Sequence, residues 1–188
     1  YTLFRGEGST YHPAPSESAE RVRRKIHPFS TPADLLAQLE KRATAAPVAI
    51  LHAAAINDFG FGGLYEEQPD GTLRELPASA KYASRSERPL FARLVPTPKI
   101  LPRLRSLFPN AFIVGWKYEA DLEKAHRQLI ECQTDLCVIN GPAYGTGFGL
   151  LTSPEETAFD PVPDRQSLFR VLDQKSKLRT KPPTTAPY

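Results

Sequence analysis

Three unbroken apolar runs organise this chain, at residues 48–55, 111–115 and 136–139. Runs without polar alternation suit strands covered on both faces, as in the middle of a parallel sheet. Residues 48–55 in particular read as a central strand. Residues 25–29 and 90–95 read as further strands, and the apolar start Tyr1, Thr2, Leu3, Phe4 as a strand under way. Helical spacing fills the gaps. Ser30 and Thr31 ahead of Pro32 and Asp34 form a helix start, hydroxyl caps followed by a proline in the first turn. Leu35, Leu36 and Leu39 give that helix one apolar face to about Ala45, and Pro47 ends it. Residues 98–108 read as a helix that Pro102 delays or kinks. Residues 119–132 carry Leu122, Ala125 and Leu129 at core spacing, and residues 164–178 form a last helix.

Strand and helix alternate from residue 25 to 140, which predicts an α/β fold: a three-layer, Rossmann-like, mostly parallel sheet with helices on both faces. Residues 57–89 read as a long irregular part. Gly60, Gly62, Gly63 and the Pro69-Asp70-Gly71 turn interrupt it, with at most a hairpin strand at 72–76. Residues 9–20 read as loop, and the spaced glycines Gly145, Gly147 and Gly149 as a turn before a strand at 150–152. We expect one domain over residues 1–178 and a proline-rich tail over 179–188. The chain has no methionine and opens on that apolar start, so it is expected to be part of something longer.

Composition narrows the function without choosing it. With 24% charged and 40% hydrophobic residues, the balance is that of an ordinary globular protein, and a net charge of +3 permits an anionic ligand without demanding one. No basic stripe is interleaved with aromatics, so nucleic acid is not an expected partner. Arg21, Arg23, Arg24 and Lys25 read as a solvated approach to the next strand. Cys132 and Cys137 lack the second pair that a zinc site needs, and Cys137 lies in an apolar run as a buried thiol, so a reducing compartment is expected. No stretch approaches a membrane span and no signal-peptide pattern opens the chain; we expect a cytoplasmic location.

The candidate chemistry sits where apolar runs end, because open α/β sheets bind ligands beyond the carboxyl ends of their strands. Ala53, Ala54 and Ala55 remove bulk there, so a planar base could be read by backbone groups, with Asp58 holding a ribose hydroxyl or a metal. Alternatively, the alanines allow close helix packing and Asp58 caps a turn. Lys81 lies in a polar loop and could be catalytic or merely solvated. Thr97, Pro98 and Lys99 before a helix could meet an anion. Trp116 could stack on a base or fill the rim of the core. Asn140 could anchor a ligand or cap a turn. His52 is expected to be a hydrogen-bonded core histidine. His12, His27, His52 and His126 have no zinc spacing, and neither a dinucleotide fingerprint nor a Walker-type loop is present.

Taken in order, these segments resemble the phosphopantothenoylcysteine synthetase family. The matching elements are Ala54-Ala55-Ile56-Asn57-Asp58-Phe59, Lys81-Tyr82-Ala83-Ser84, Pro98-Lys99-Ile100-Leu101, Val114-Gly115-Trp116 with Glu119, and Asp135 with Val138 and Asn140. The resemblance covers residues 1–172 and lacks the family's first, glycine-rich segment. It implies a ligase that activates the carboxylate of 4′-phosphopantothenate with CTP or ATP and Mg²⁺, then transfers the acyl group to cysteine. It implies that Ala54, Ala55 and Trp116 border the base, and that Asp58 holds the nucleotide or its metal. Thr97, Pro98, Lys99 and Ile100 meet the nucleotide, Asn140 the substrate, and Lys81 the acyl phosphate. It further implies a homodimer, no FMN in this domain, and an association with a separate flavin-dependent decarboxylase. The family's two helix lysines that face the triphosphate correspond to Gln128 and Cys132 here. Lys124 or Arg127 are the cations nearest in sequence that could compensate. Without them, the expectation shifts toward a nucleotide-binding or scaffold protein of the same fold.

Overall fold

The computed structural model describes residues 1–10, 25–77 and 88–179. In chain order the elements are β1 (Thr2–Gly6), β2 (Lys25–Phe29), α1 (Pro32–Glu40), β3 (Ala49–His52), β4 (Phe59–Glu67), β5 (Leu73–Leu76) and β6 (Leu90–Pro96). They continue with α2 (Leu101–Leu107), β7 (Phe112–Lys117), α3 (Leu122–Glu131), β8 (Leu136–Ile139), β9 (Phe148–Leu151), β10 (Asp160–Val162) and α4 (Arg165–Arg179). They form two units, Tyr1–Ala55 with Lys99–Tyr188, and Ile56–Pro98.

The first unit is built on a five-stranded sheet in the order β10-β9-β8-β7-β3. β3, β7 and β8 are parallel, whereas β9 and β10 run antiparallel. Alternation along the strands sends side chains to two opposite faces. Phe112 and Val114 of β7, Leu136 and Val138 of β8, Leu150 and Val162 pack against Leu168 and Leu172 of α4. Cys137, Ile139 and Leu151 pack on the other face against Ala125 and Leu129 of α3. Helix, sheet and helix thus make the expected three layers, with a mixed sheet at their centre. Ile113, Leu136, Ile139, Leu150 and Leu151 are fully buried, and each burial stabilises the fold by roughly 1.5–3 kcal/mol. β1 and β2 form a separate parallel pair.

The helix signals act as expected. The Thr31 hydroxyl accepts the Asp34 N–H at 3.1 Å, and Asp121 caps α3 by accepting the Lys124 N–H at 3.0 Å. α2 begins late, at Leu101, with Pro102 in its first turn. At the amino edge of the sheet, Asp135 accepts the Ile113 N–H at 2.7 Å and the Arg105 guanidinium at 2.7 Å. Arg105 also reaches the carbonyls of Gln133, Pro109 and Ala111. One arginine therefore ties α2 to the starts of β7 and β8, and its burial pulls its pKa below the usual guanidinium range.

Two expectations are corrected. Among the described residues, 48–55 do not form a central strand: β3 pairs there with β7 alone, at one end of this sheet, and Leu51 is 47% exposed. An apolar run shows that side chains avoid water but not how many strands flank it. Nor is 57–89 irregular where it is described. β4 runs for nine residues and joins β5 and β6 in an antiparallel sheet, order β5-β4-β6. The strand at residues 90–95 therefore belongs to this sheet rather than to the parallel one. The glycines that suggested turns serve a β-bulge between Phe61 and Gly63. A Cβ on Gly62 would collide with Val95, and Gly63 sits at φ +148°.

Lys81, Ser84, His12 and the arginines at 21, 23 and 24 lie outside the described residues, as does the tail from residue 180.

Candidate ligand-binding edge

The parallel part of the sheet ends at a common carboxyl edge. His52 of β3 pairs with Gly115 of β7, which pairs with Cys137 of β8. One step further, β7 continues into Trp116 and Lys117 while β3 gives way to Ala53, Ala54 and Ala55, all exposed. The Asn140 N–H bonds the Lys117 carbonyl at 3.1 Å, which carries the ladder just beyond β8. The sheet therefore brings Ala54, Ala55, Trp116 and Asn140 to one edge. Gly141 follows at φ +116°, and a Cβ there would press on the Tyr118 ring at 3.2 Å. Its missing side chain lets the chain turn beneath an aromatic ring that is itself exposed.

The two faces of β7 differ at this edge. Trp116 packs against the α4-side core, so part of the indole fills the rim of that core. Gly115 and Lys117 point to the opposite face, toward α2 and α3. A Cβ on Gly115 would meet the Gln128 carboxamide carbon at 2.8 Å and Leu101 Cδ2 at 3.0 Å. Gln128 therefore lies across bare backbone of β7, only 5% exposed. Its amide nitrogen has no hydrogen-bond partner of full geometry, although it favours the neighbouring Cys137 thiolate slightly. Burial nevertheless pushes Cys137 up to about 12, so this thiol is neutral at physiological pH. Cys132 is half-buried at the C-cap of α3, and burial raises its pKa too. Both thiols feel the positive charge of Lys117. His52 is held neutral, its pKa lowered to about 4 by burial; among the described residues its ring has no hydrogen-bond partner.

The two compensating cations suggested by the sequence are otherwise engaged. Lys124 is salt-bridged to Glu119 at 2.6 Å and Asp121 at 3.6 Å. Arg127 lies 3.9 Å from Glu123 on the outer side of α3. Lys117 makes no salt bridge or side-chain hydrogen bond among the described residues, although it is half-buried at the edge. Its value escapes a sequence reading because a lysine after a strand looks solvated. Only the face it shares with Gly115 and Gln128 distinguishes it.

In the second unit, the β4–β6 ladder brings together residues 39 positions apart. The Thr97 N–H bonds the Asp58 carbonyl at 3.0 Å, and the Thr97 hydroxyl donates to the Asn57 carbonyl. Asp58 is exposed, and Pro98 follows Thr97 at the unit's end. Lys99 is exposed in the first unit, whereas Ile100 is buried there, so Ile100 can offer a ligand its backbone but not its side chain. Among the described residues no group of three His, Cys, Asp or Glu side chains could hold a metal ion.

An α/β sheet with parallel strands, helices on both faces and an open carboxyl edge defines a Rossmann-like class of fold. Comparison with solved structures gives the particular fold. The DNA/pantothenate metabolism flavoprotein from Streptococcus pneumoniae superposes with a TM-score of 0.72 at 19% identity, over 94% of this chain and 80% of that one. The C-terminal domain of the coenzyme A biosynthesis bifunctional protein CoaBC gives 0.60 at 16% identity, over 94% and 73%. A Cab2 variant in complex with phosphopantothenate-cysteine gives 0.59 at 22%, over 86% and 55%. The chain shares their Rossmann-like α/β fold. In sequence, the CoaBC protein of Thermococcus kodakarensis is 39% identical over 62 residues, 30% of this chain and 15% of that protein's length. No protein-family profile matches the chain.

Proposed function

We propose that this chain is a divergent domain of the phosphopantothenoylcysteine synthetase type, joining 4′-phosphopantothenate to cysteine in coenzyme A biosynthesis at the expense of CTP or ATP. The observation that supports this reading is the common edge: Ala54, Ala55, Trp116 and Asn140, matched by sequence motif, end or follow β3, β7 and β8 on the side where such a fold binds its ligand. The carboxylate attacks the nucleotide's α-phosphorus and pyrophosphate leaves. The cysteine amine then attacks the acyl carbon, the nucleoside monophosphate leaves, and the amine proton is lost. In this reading the alanines and Trp116 border the base, and Thr97, Pro98, Lys99 and the Ile100 backbone meet the nucleotide. Gln128 and Cys132 line its phosphate side, Asn140 holds the substrate, and Asp58 and Lys81 serve the reaction. Lys81 would offset the charge of the acyl phosphate as it forms and breaks down. Mg²⁺ would arrive chelated by the nucleotide, and no step is assigned to it.

The same reading includes a homodimer. Phe59, Phe61, Leu90 and Leu94 share one face of the β5-β4-β6 sheet by strand register, and Phe61 and Leu94 are 68% and 63% exposed. A second copy of this self-complementary apolar face is the partner we assign. A cytoplasmic location and a separate flavin-dependent decarboxylase as partner also belong to this proposal. No helix among the described residues is long and apolar enough to cross a membrane.

The test is pyrophosphate release with each of CTP, ATP, UTP and GTP. Release from CTP or ATP that requires phosphopantothenate, continues past a single turnover only when cysteine is present, and is lost in Lys81→Ala, supports the ligase. Nucleotide binding with no release under any combination favours the second reading, a nucleotide-binding protein without ligase activity. The uncharged, buried Gln128 speaks for that alternative.

A further inference from the structure

The synthetase reading leaves a charge deficit. A nucleoside triphosphate brings several negative charges to the sheet edge, yet α3 offers it Gln128 and Cys132. Lys124 is paired with Glu119 and Asp121, just ahead of α3, and Arg127 lies 3.9 Å from Glu123 of its own helix. Resting on that reading, we infer that Lys117 and the Gln128 amide together form the polyphosphate-binding pair of this edge, a strand-borne cation replacing helix-borne ones.

Four observations converge. Lys117 ends β7 on the face of Gly115, the face that looks toward α2 and α3; Phe112, Val114 and Trp116 occupy the other. It is half-buried and has no carboxylate partner among the described residues, although Glu119 and Asp121 are close in sequence, because Lys124 holds both. The Gln128 nitrogen, two residues down the strand at the level of Gly115, is buried with no hydrogen-bond partner of full geometry, the neutral Cys137 thiol being the group beside it. A buried donor without an acceptor is costly, and native proteins retain such groups mainly where a ligand or water satisfies them. Finally, Gly115 and its neighbour Cys137 present no charge to the two donors at this level of the strand. A cation and a neutral donor along one strand suit successive phosphates of a chain, where charge-assisted hydrogen bonds are the strong ones.

The pair is tested by calorimetric titration of the full chain with CTP and ATP in Mg²⁺, and with inorganic tripolyphosphate alone. The variants are Lys117→Met, which keeps the aliphatic stem, Lys117→Arg, which keeps the charge, and Lys177→Met, which removes a charge from α4. We expect Lys117→Met to weaken triphosphate and tripolyphosphate on the order of tenfold or more. Lys117→Arg should recover most of the affinity, and Lys177→Met should leave it unchanged. The salt dependence of Kd should flatten in Lys117→Met alone. Nucleotide binding of equal strength in wild type and Lys117→Met overturns the pair and leaves the synthetase reading standing. Lys117-dependent binding of tripolyphosphate without preference for any nucleotide supports the pair and overturns the reading. If the wild-type chain binds neither probe, both fall.

Discussion

Gly115→Ala puts one methyl group where α2, α3 and β7 meet, and the structure sets its cost. The new Cβ would stand 2.8 Å from the Gln128 carboxamide carbon and 3.0 Å from Leu101 Cδ2, both well inside ordinary van der Waals contact. Gln128 is 5% exposed, so its amide has little free space to move into when the methyl group arrives. Overpacking of this kind costs about 1–3 kcal/mol. Against it, replacing a strand glycine by alanine recovers about 0.5–1 kcal/mol of chain entropy. The net expectation is a destabilisation of about 1–2 kcal/mol, read as a lower urea midpoint at unchanged slope. Most of the clash resides in Gln128 rather than Leu101, so Gln128→Ser should cost Gly115→Ala less than it costs the wild type. The double-mutant cycle should give a coupling of about 1 kcal/mol. A Gly115→Ala protein as stable as wild type, or a cycle with no coupling, would refute the packing described between β7 and α3.

Removing the Arg105 guanidinium with Arg105→Met should destabilise by about 3 kcal/mol in the same titration, because Asp135 would remain half-enclosed without its cation; a loss under 1 kcal/mol would contradict that role. His52 is neutral in the folded chain with a pKa near 4, below its unfolded value of about 6.5. The unfolded state binds the proton first as pH falls, so its contribution is complete above about pH 6.5 and lost between there and pH 4. His52→Gln should therefore flatten the stability profile over that window, and an imidazole titrating near 6.5 by NMR would disprove it. Cys137, with its pKa near 12, should resist iodoacetamide at pH 8 until the protein unfolds. Labelling of Cys137 before Cys132 in a mass-spectrometric time course would contradict the burial order. On the apolar face of the β5-β4-β6 sheet, Phe61→Glu should convert a dimer into monomers by light scattering. A wild-type chain that is monomeric at all concentrations would remove that interface.

Where the sequence spoke through continuous burial, it was readable. Residues 136–139 are a strand to the residue because Leu136, Cys137, Val138 and Ile139 are buried on both faces, and no partial exposure blurs the pattern. α2 was delayed by Pro102 because a missing N–H acts locally. The failures concern information that is not local. In residues 48–55, the pattern reports avoidance of water, which an end strand can satisfy with packing rather than with a second hydrogen-bonded neighbour. In β4, Phe59, Gly60, Phe61, Gly62 and Gly63 look like turn sequence, yet two of those glycines make room for Val95 and for a bulge. The need for a glycine there is set by a strand more than thirty residues away.

The same distinction governs the site. Ala54, Trp116 and Asn140 could be picked out because each follows an apolar run, and a run's end is a local mark. Gln128 was marked by the resemblance alone, and its burial against Gly115 could not be read that way. In a helix of polar exterior its amide looks like one more solvated side chain, but the period of α3 turns it inward onto a residue with no side chain. Lys117 is the counterpart: one register step separates it from Trp116, and that step alone sends it to the α3 face. If charge for a polyphosphate can be supplied from either the helix or the strand of one βα layer, losing the helix lysines does not by itself remove the function. What matters is whether a cation remains on the same face, within reach of the same edge, and uncommitted to a carboxylate. Among the cations considered for this edge, Lys124 and Arg127 fail that last condition and Lys117 meets it. The chemistry of the edge is therefore better judged by the face each residue occupies than by its alignment to a motif.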